Sequence, residues 1–441
     1  MNAQSEKPKI LIITYYWPPA GGIMVQRVLK FCKYLSKLGW EPVVLTTKKG
    51  TYPIVDYQLL EEIDPSLKVY KTKSFEPLAI YARLKGGKNE TVPVGMRGME
   101  KDSSFLTKLA TYIRANFFIP DARKGFVSYA YKSALKIIED ENIRAILTTG
   151  PPHSTHLAGL KLKEKIGLPW LADFRDPWVN IYYNQFLPRT KSTQKKDLNL
   201  QNKVLKQADV TLAVGRTLMN ELTPEAKKVE LVYNGFDEDN FPESLFVENP
   251  QDKFLLLYPG NLLPGQDLKV VLNAIQSLIE KNESFKKDFC FDFTGNLDNE
   301  TRHLFKSFPH RENVKVSDYV PYNEIIKKMV QKSSLLLLLA QDIPQKPPPP
   351  GKLFDFIAAR TTVLGVGPEN SDAREVVLDS GIGKMFLSTE QMQIEDFLLA
   401  NYEKWKENAQ QKTFLTMTDK MKNYSRENQT KRLVEILNTL V

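Results

Sequence analysis

Residues 345–368, QKPPPPGKLFDFIAARTTVLGVGP, contain the clearest succession of structural signals in the chain. The preceding run at 335–340, LLLLLA, is bounded by serines and an aspartate, which is typical of a buried parallel strand. The four prolines then prevent regular pairing, residues 353–360 show helical spacing of apolar side chains, and residues 361–366 predict the next strand. Strand, rigid loop, helix and strand in succession indicate an α/β fold.

The start of this predicted helix is a candidate binding site for an anion or a ribose. Unpaired backbone N–H groups point outward at a helix N-terminus and favour negative charge there. Lys352 and Asp355 lie at this point, and Gly351 allows the backbone to approach a ligand closely. A solvated lysine and an acidic residue near a helix start would give the same pattern without any function.

The composition is that of a globular protein with more than one domain. At 441 residues, of which 42% are hydrophobic, the chain can build two or more cores. Cys32 and Cys290 lie far apart within apolar segments, which suits a reducing compartment better than a disulfide scaffold. The start of the sequence is polar, and no run approaches the roughly 20 apolar residues of a membrane helix. We therefore expect a cytoplasmic protein.

The formal charge of +9 is unevenly distributed. Residues 1–240 hold 36 Lys and Arg against 25 Asp and Glu, a net charge of +11. Within them, residues 68–136 hold 14 basic and 5 acidic residues, a net charge of +9. A local basic field indicates an anionic partner such as a membrane surface, a phosphorylated lipid or a nucleic acid.

The amino-terminal segment predicts a second place for a ligand. Residues 9–15 predict a strand, 23–38 a helix and 41–47 a parallel strand, which follows a right-handed crossover. Gly21 and Gly22 follow the first strand, at the sheet edge where α/β proteins bind ligands. The fingerprint G-x-G-x-x-G is absent, which argues against a dinucleotide cofactor. A tight turn would equally account for a glycine pair.

Polar residues also follow two further predicted strands, at 144–149 and 169–174. They are His153, His156, Asp173, Arg175 and Asp176. A lone histidine is usually a hydrogen-bonded structural residue, but two histidines near an Arg–Asp pair favour a function. No spacing of Cys or His resembles a zinc site, so we expect no metal.

Residues 104–118 show helical spacing with an aromatic and aliphatic face. The residues on this face are Phe105, Leu109, Tyr112, Ile113 and Phe117. Such a helix with Lys108 and Arg114 beside it can lie at a bilayer interface, or it can pack on its own domain.

The second half of the chain repeats the α/β plan, with strands and helices alternating over residues 254–379. Residues 238–252 are acidic and contain proline, which predicts an interdomain linker. We therefore expect two doubly wound α/β domains at 1–237 and 253–410, followed by a helical segment at 411–441.

Five segments, none of them specific alone, together resemble retaining glycosyltransferases of family 4, which have the GT-B fold. They are WPPAGG (17–22), TTGPPHSTHLAGLKLKEKIGLPWLADFRDPW (148–178), VYNGFD (232–237), LLYPGNLLPGQDL (256–268) and PGKLFDFIAARTTVLGVGP (350–368). The resemblance covers nearly the whole chain and is strongest to the branch that assembles capsule, O-antigen or exopolysaccharide repeat units. It implies two Rossmann-like domains with the donor cleft between them and a C-terminal helix that returns to the first domain.

The resemblance also implies roles for individual residues. Gly21 and Gly22 would lie near the donor diphosphate and the acceptor. Asp355 takes the place of the family glutamate that binds the donor ribose. The other glutamate of the family falls near Pro347, so that carboxylate is missing here.

The cations that hold the diphosphate differ from the family pattern. The loop that normally carries them has Asn261 and Gln266 here, so we expect Lys352 and Arg175 to supply the charge. Arg175 stands where many members have a histidine and is followed by the family-like Asp176. The expected donor-binding residues are Gly21, Gly22, Gly260, Asn261, Gln266, Gly295, Val320, Pro321, Gly351, Lys352, Leu353 and Asp355. The expected catalytic residues are His153, His156, Arg175 and Asp176.

The activity implied by the resemblance is transfer of a sugar, with retention, from a nucleotide-diphosphate sugar to a lipid-linked or oligosaccharide acceptor. It implies no metal and no other cofactor, and the basic segment would contact the inner membrane face. Two alternatives stay open: a GT-B nucleotide-sugar epimerase or hydrolase, and a non-catalytic protein that binds sugar nucleotides. Nucleic-acid binding is disfavoured because the basic region contains no recognised reading module.

Overall fold

The structure is a computed structural model that describes residues 7–76 and 105–441. The chain divides into two compact units. Unit 1 comprises Met1–Tyr233 and Gln429–Val441, and unit 2 comprises Asn234–Asn428. Each unit is built on one parallel sheet with helices on its faces.

These boundaries differ from the predicted ranges of 1–237, 238–252, 253–410 and 411–441. The backbone of Phe236 explains the difference, because its N–H donates to the carbonyl oxygen of Tyr424 and its own carbonyl oxygen accepts from the N–H of Arg426. Residues 238–252 and 411–428 are therefore parts of unit 2.

Unit 1 contains a seven-stranded sheet in which all neighbouring strands are parallel. Its strands are β1 (Lys9–Ile13), β2 (Glu41–Thr47), β3 (Lys68–Thr72), β4 (Ile143–Gly150), β5 (Trp170–Phe174), β6 (Val210–Ala213) and β7 (Val229–Leu231). Its helices are α1 (Ile23–Lys37), α2 (Phe105–Phe117), α3 (Val127–Glu141), α4 (Ser154–Ile166), α5 (Lys191–Gln207) and α6 (Arg216–Leu222). The strand order is β3-β2-β1-β4-β5-β6-β7.

Unit 2 contains a six-stranded parallel sheet in the order β10-β9-β8-β11-β12-β13. Its strands are β8 (Phe254–Pro259), β9 (Phe289–Thr294), β10 (Val314–Ser317), β11 (Leu335–Leu339), β12 (Val363–Val366) and β13 (Gly383–Phe386). Its helices are α7 (Lys269–Lys281), α8 (Glu283–Asp288), α9 (Asn299–Ser307), α10 (Tyr322–Gln331), α11 (Gly351–Ala358), α12 (Asp372–Ser380), α13 (Gln391–Glu407) and α14 (Asp419–Lys422). The last helix, α15 (Arg426–Asn438), belongs to unit 1 from Gln429 onward.

Alternate residues of each strand point to opposite sides of a sheet, and in unit 1 the side chains on both sides are buried. In β1, Leu11 and Ile13 enter one core cluster, whereas Ile10 and Ile12 enter another. The second cluster also contains Trp40 and the apolar side of α15, formed by Leu433, Ile436 and Leu437. The indole N–H of Trp40 donates to the side-chain oxygen of Asn438 at 3.0 Å.

Each sheet has one point where the direction of strand succession reverses. In unit 1 it lies between β1 and β4, and in unit 2 between β8 and β11. Ligands of doubly wound sheets bind beyond the carboxyl ends of the strands at this reversal. A ligand is therefore expected at the loops that follow these four strands.

Several elements were not predicted from the sequence. Strand β3 is not predicted, because an exposed edge strand with the sequence KVYKT lacks an apolar run. Strand β13 and the short helices α8 and α9 were also missed. The segment predicted to be helical at 411–441 contains no helix before α14. Residues 77–104 of the basic segment at 68–136 lie outside the described residues.

Candidate functional site

The α11 start in unit 2 follows the loop after β11, at the strand reversal. Pro350 stands at the N-cap with extended backbone, so the helix begins at Gly351, two residues earlier than predicted. The N–H of Leu353 donates to the carbonyl oxygen of Pro350, and the Leu353 side chain is fully buried. Leu353 therefore anchors the helix, and the backbone of Gly351 and Lys352 forms its free first turn.

The Lys352 amine lies over the ring of Tyr258, 3.8 Å from the ring centre. It donates one long hydrogen bond, 3.4 Å, to the carbonyl oxygen of Pro259. No carboxylate among the described residues forms an ion pair with it. Burial lowers the pKa of the amine to about 7. A part-buried amine with so few partners is suited to an anionic ligand, because the ligand would replace the missing countercharge.

Asp355 lies one helical turn after Lys352. Its carboxylate accepts a hydrogen bond of 2.8 Å from the hydroxyl of Tyr322, the first residue of α10. Burial raises the pKa of Asp355 to about 6, although the Tyr322 hydrogen bond and the charge of Arg426 lower it. One carboxylate oxygen remains available to a ligand hydroxyl.

Two glycines line the approach to Lys352, at the ends of β8 and β9. Gly260 has a φ of +115°, and its missing side chain leaves the Lys352 amine 3.9 Å from where a Cβ would stand. A Cβ on Gly295 would lie 2.3 Å from the carbonyl oxygen of Gly260, so the two loops require glycine to approach each other. Both predicted glycines therefore lie at the same sheet edge.

Asn261 and Gln266 stabilise the loop after β8. The Asn261 side chain accepts a hydrogen bond of 2.9 Å from the N–H of Asn296, in the neighbouring loop. The Gln266 side chain donates to the carbonyl oxygen of Leu339 at 2.6 Å and accepts from the N–H of Leu263 at 2.8 Å. Because the hydroxyl of Tyr258 also donates to Gln266 at 3.1 Å, this amide is held in place from several sides.

Val320 and Pro321 follow β10, and two strands, β9 and β8, separate β10 from β11, the strand that precedes Lys352. Pro321 caps α10 through its carbonyl oxygen, which accepts from the N–H of Glu324. Pro321 is exposed and Val320 is partly exposed, so their backbone is accessible at the same edge.

In unit 1, Gly21 and Gly22 lie between β1 and α1 as predicted. The N–H of Gly21 donates to the carbonyl oxygen of Ile54 at 3.0 Å, and a Cβ on Gly21 would touch the Ile54 and Asp56 side chains. Gly22 has a φ of +97°, forms the N-cap of α1 and is exposed to open space. Gly21 is therefore required for packing, whereas Gly22 leaves room for a ligand at the helix start.

Arg175 is 6% exposed, and its guanidinium is directed into the protein. Its Nε donates to the carbonyl oxygen of Gly150 at 3.0 Å, one Nη donates to Met24 at 2.7 Å, and the other donates to Pro151. Burial lowers its pKa to about 10. Since all three nitrogens bind backbone carbonyls, the geometry is that of a residue that fixes the loops after β4 and β5 to α1.

His153 and His156 lie at the start of α4 within an aromatic stack. His153 packs face to face with Trp178, with ring centres 5.2 Å apart, and His156 packs on Phe174 at 4.6 Å. Burial lowers the pKa of His153 to about 3 and that of His156 well below its ordinary value. Both imidazoles are therefore neutral at physiological pH.

The neighbours of the two rings indicate their tautomers. His153 Nε2 lies 3.2 Å from the carbonyl oxygen of Pro177, which can only accept, so this nitrogen carries the proton. His156 Nδ1 lies 2.8 Å from the hydroxyl of Thr148, which already accepts from the indole of Trp170 at 2.9 Å. The proton of the Thr148 hydroxyl has no other acceptor among the described residues, so we assign this hydroxyl as the donor to Nδ1, which places the His156 proton on Nε2.

The remaining nitrogens, His153 Nδ1 and His156 Nε2, are buried and have no hydrogen-bond partner among the described residues. Both face the last residue of β4, because a Cβ on Gly150 would lie 2.9 Å from the first and 2.6 Å from the second. With these tautomers one nitrogen is an acceptor and the other is a donor, which is the pair of groups that one water or hydroxyl group binds. Only a glycine at position 150 leaves this space open.

Asp176 lies on the wall of a cavity of about 240 Å³ beside His153. Burial raises the pKa of its carboxyl to about 6, and no described residue donates a hydrogen bond to it. The same cavity is lined by Tyr16, Trp178 and Arg189, and the Arg189 Nε is buried without an acceptor. An apolar cavity with a few unpaired polar groups is typical of a site for a small organic ligand.

Several residues at these sites were missed by sequence reasoning. Tyr258 and Tyr322 shape the surroundings of Lys352 and Asp355, and Trp178 supports His153. Tyr322 could have been found, since it opens a helix directly after a strand end at the same sheet edge. In the described parts of the chain, no three His, Cys, Asp or Glu side chains lie close enough to hold a metal ion together.

The sequence matches no protein-family model, and no curated protein matches it either. Solved structures do match over nearly the whole chain. A glycosyltransferase from Rickettsia africae ESF-5 superposes with a TM-score of 0.61 at 15% identity, covering 98% of each chain. TarM superposes with a TM-score of 0.58 at 10% identity, covering 98% of this chain and 99% of TarM. A mutant of S. aureus TarM was crystallised with fondaparinux, α-GlcNAc-glycerol and UDP.

A different activity is attached to another similar structure. The protein described as a putative UDP-N-acetylglucosamine 2-epimerase from Listeria monocytogenes superposes with a TM-score of 0.52 at 13% identity, covering 98% of this chain and 96% of that one. At identities of 10–15%, these superpositions establish likeness of fold. The prediction of an α/β GT-B fold with two doubly wound domains is thereby confirmed.

Proposed function

We propose that this protein is a glycosyltransferase that moves a sugar from a nucleotide-diphosphate sugar to a saccharide acceptor. The observation that supports this most is the Lys352 amine. It is part-buried, forms no ion pair among the described residues, and lies at a helix start beyond the carboxyl ends of the strands where they reverse direction. Among the similar structures, a TarM mutant was crystallised with UDP.

In this proposal, the donor binds to unit 2. The diphosphate lies against Lys352 and the first turn of α11, and the ribose hydroxyls bind the free oxygen of Asp355. As the bond from the anomeric carbon to the diphosphate breaks, negative charge builds on the phosphate oxygens. The Lys352 ammonium and the fixed backbone N–H groups stabilise that charge without needing to reorient.

The acceptor binds to unit 1 in the cavity beside His153 and Asp176. Asp176 offers a carboxylate to an acceptor hydroxyl, and the aromatic stack under His153 provides an apolar platform. Arg175 acts through its carbonyl contacts as a positioning residue. Likeness of the five segments to family 4 supports retention of the anomeric configuration and a role in surface polysaccharide assembly. We expect the transfer to continue when EDTA is present.

Donor binding gives the direct test. A ligand that binds only the folded protein raises its melting temperature with concentration, so a panel of UDP-, GDP-, dTDP- and CMP-sugars reveals the donor class. We expect one nucleotide class to raise the melting temperature of the wild-type protein. Lys352→Met should weaken the affinity for that donor about 10- to 100-fold, which corresponds to the loss of one charge-assisted hydrogen bond. Lys384→Met is the matched control, because Lys384 is an exposed lysine elsewhere in unit 2. Equal donor affinity in Lys352→Met and Lys384→Met would contradict the proposed site.

A lipid-linked acceptor fits an exposed aromatic surface on unit 1. This surface, the aromatic rim, consists of Tyr112, Ile113, Phe117, Tyr182 and Phe186. Phe117 is 65% exposed, and α2 is joined to the segment that follows Phe186 by a hydrogen bond of 2.8 Å from Asn116 to Pro188. Lys108 and Lys124 add positive charge nearby. No helix of the described residues is long and apolar enough to span a bilayer.

We propose that the aromatic rim rests on the membrane surface while the acceptor sugar occupies the cavity. Liposome flotation with anionic vesicles checks this, since aromatic side chains and cations act together at a bilayer interface. Phe117→Ser should reduce the floated fraction, and Leu198→Ser, at another exposed apolar residue of unit 1, should not. Flotation that is independent of anionic lipid would contradict a role for the basic residues.

The epimerase-like structure favours one alternative, a nucleotide-sugar epimerase or hydrolase. Incubation with the donor alone separates the two functions. A glycosyltransferase releases nucleotide diphosphate only when an acceptor is added, whereas an epimerase or hydrolase converts the donor by itself.

A further inference from the structure

A second polar cavity lies in unit 2 at the amino ends of the strands, on the opposite sheet edge from Lys352. Its volume is about 250 Å³. Phe254 opens β8, Ser334 precedes β11 and Thr362 precedes β12, and all three line the cavity. The rest of the wall comes from residues 401–415, which lie on α13 and the segment after it. The cavity is therefore separate from the proposed donor site.

Lys412 forms part of this wall, although it is only 2% exposed. Its amine donates to the carbonyl oxygen of Ser333 at 2.6 Å and to the hydroxyl of Thr361 at 2.9 Å. Within the described residues, no carboxylate forms an ion pair with it. A lysine ammonium has three N–H donors, so one remains after these two bonds. Burying a cation without a countercharge is costly, and an anion in the cavity would remove that cost.

Trp405 supplies a second unused donor on the same wall. It is 6% exposed, and its indole N–H is buried without an acceptor among the described residues. The ring packs on Phe254 and Tyr402, with ring centres 5.8 and 5.9 Å away, so its position is held by the core. An indole N–H can only donate. The cavity wall thus holds two buried donors without an acceptor among the described residues, the third N–H of Lys412 and the indole N–H of Trp405.

We propose that this cavity binds a small oxyanion such as phosphate. An oxyanion presents several acceptors on one atom centre, so it can accept from the Lys412 ammonium and the Trp405 indole together. Exposed Lys404 and Glu407 at the rim carry opposite charges and cancel each other at longer range. The specificity therefore comes from the buried donors.

The position of Lys412 gives the site a structural consequence. Ser333 lies just before β11, and Thr361 lies just after α11. The Lys412 amine therefore joins the two ends of the segment formed by β11, its loop and α11, which carries Lys352 and Asp355. An anion that holds Lys412 in its charged form strengthens both bonds. Occupancy therefore stabilises unit 2 whether or not the protein transfers sugar.

The test follows the Trp405 indole by NMR during a titration with inorganic phosphate at constant ionic strength. The sequence has five tryptophans, and the loss of one signal in Trp405→Phe assigns the indole N–H of interest. We expect that signal to move downfield and to saturate. Lys412→Met should weaken the phosphate affinity about tenfold, the ratio that corresponds to the loss of one charged hydrogen bond. Lys404→Met, at the exposed rim, should change the affinity less than about twofold.

A second variant, Lys352→Met, distinguishes phosphate binding at this cavity from binding at the donor site. In Lys352→Met, the Trp405 signal should still respond to phosphate with unchanged affinity, even though nucleotide-sugar binding is weakened. Because Lys412→Met removes two hydrogen bonds, Trp405→Phe serves as a milder variant, in which the phosphate-induced rise in melting temperature should diminish. A Trp405 signal that does not move at saturating phosphate, or equal weakening by Lys404→Met and Lys412→Met, would overturn the proposal.

Discussion

The charged residues near the strand reversals of the two units differ in how many partners they have within the protein. In unit 1, the Arg175 guanidinium binds three backbone carbonyls, and Arg27 forms a buried ion pair of 2.8 Å with Asp173. In unit 2, Lys352 has one long hydrogen bond, and Asp355 has a tyrosine as its neutral partner. A charge with internal partners holds loops together, whereas a charge without them is available to a ligand. Arg27 and Arg175 in unit 1 therefore mainly stabilise the structure, whereas Lys352 in unit 2 is available to bind an anion.

The largest effect is expected from breaking the unit 1 ion pair. Arg27 also donates to the carbonyl oxygens of Val232 and Tyr233, and Asp173 accepts from Thr149 at 2.8 Å. Arg27→Met leaves the Asp173 carboxylate buried without its countercharge, which should lower the free energy of unfolding by about 3–5 kcal/mol. Urea denaturation measures this. Lys352→Met, by contrast, should not lower stability, because burial already disfavours the charged amine, and comparable losses in both variants would remove the distinction between the two units.

A smaller loss of stability is expected where the two histidines face Gly150. In Gly150→Ala, the new Cβ would lie 2.6 Å from His156 Nε2, so the imidazole must move within a packed aromatic stack. Overpacking of this kind costs about 1–3 kcal/mol. Thermal unfolding of Gly150→Ala measures the cost, and Gly167→Ala provides a comparison at an open turn with a φ of +76°. A fully stable Gly150→Ala protein would mean that the histidines tolerate a different arrangement.

The pH dependence should differ in sign between stability and donor binding. Burial lowers the pKa of Lys352 to about 7, below its ordinary value, so the unfolded chain binds more protons above pH 7. The contribution of Lys352 to stability therefore rises from about pH 7 toward pH 10. Donor affinity should instead fall as pH rises through 7, because the ammonium form holds the diphosphate. Calorimetric titration at several pH values checks this, and Lys352→Met should lose the decrease.

The smallest effect is expected for the unit 1 histidines, whose pKa values burial lowers to about 3 for His153 and well below the ordinary value for His156. Neither should titrate between about pH 5.5 and 8, where an exposed histidine does. Long-range ¹H–¹⁵N correlation spectra should show both rings neutral with the proton on Nε2. A protonated ring at pH 6, or a proton on Nδ1 of either ring, would show that the inferred hydrogen-bond directions are wrong.

The sequence indicated the positions of the candidate residues in the fold better than it indicated their contacts. Gly21, Gly22, Lys352 and Asp355 were placed at strand ends, and the sheet topology puts these loops at the two reversals. The expectation that Arg175 binds diphosphate stays a prediction, but its contacts favour a positioning role. The partners of Arg175 include the carbonyl of Met24, which is 151 residues away in the sequence, so local pattern could not reveal that contact.

The alternation of most strands and helices, and with it the α/β class, could be determined from the sequence alone. Apolar runs, helical periodicity and the Gly and Pro residues between them depend only on neighbours along the chain. Which charged groups are free was decided by tertiary structure. Arg27 meets Asp173 across 146 residues, and Lys412 meets Ser333 across 79. Hydrogen bonds between distant segments form only when the fold brings them together, and they determine whether a charge supports the structure or is left for a ligand.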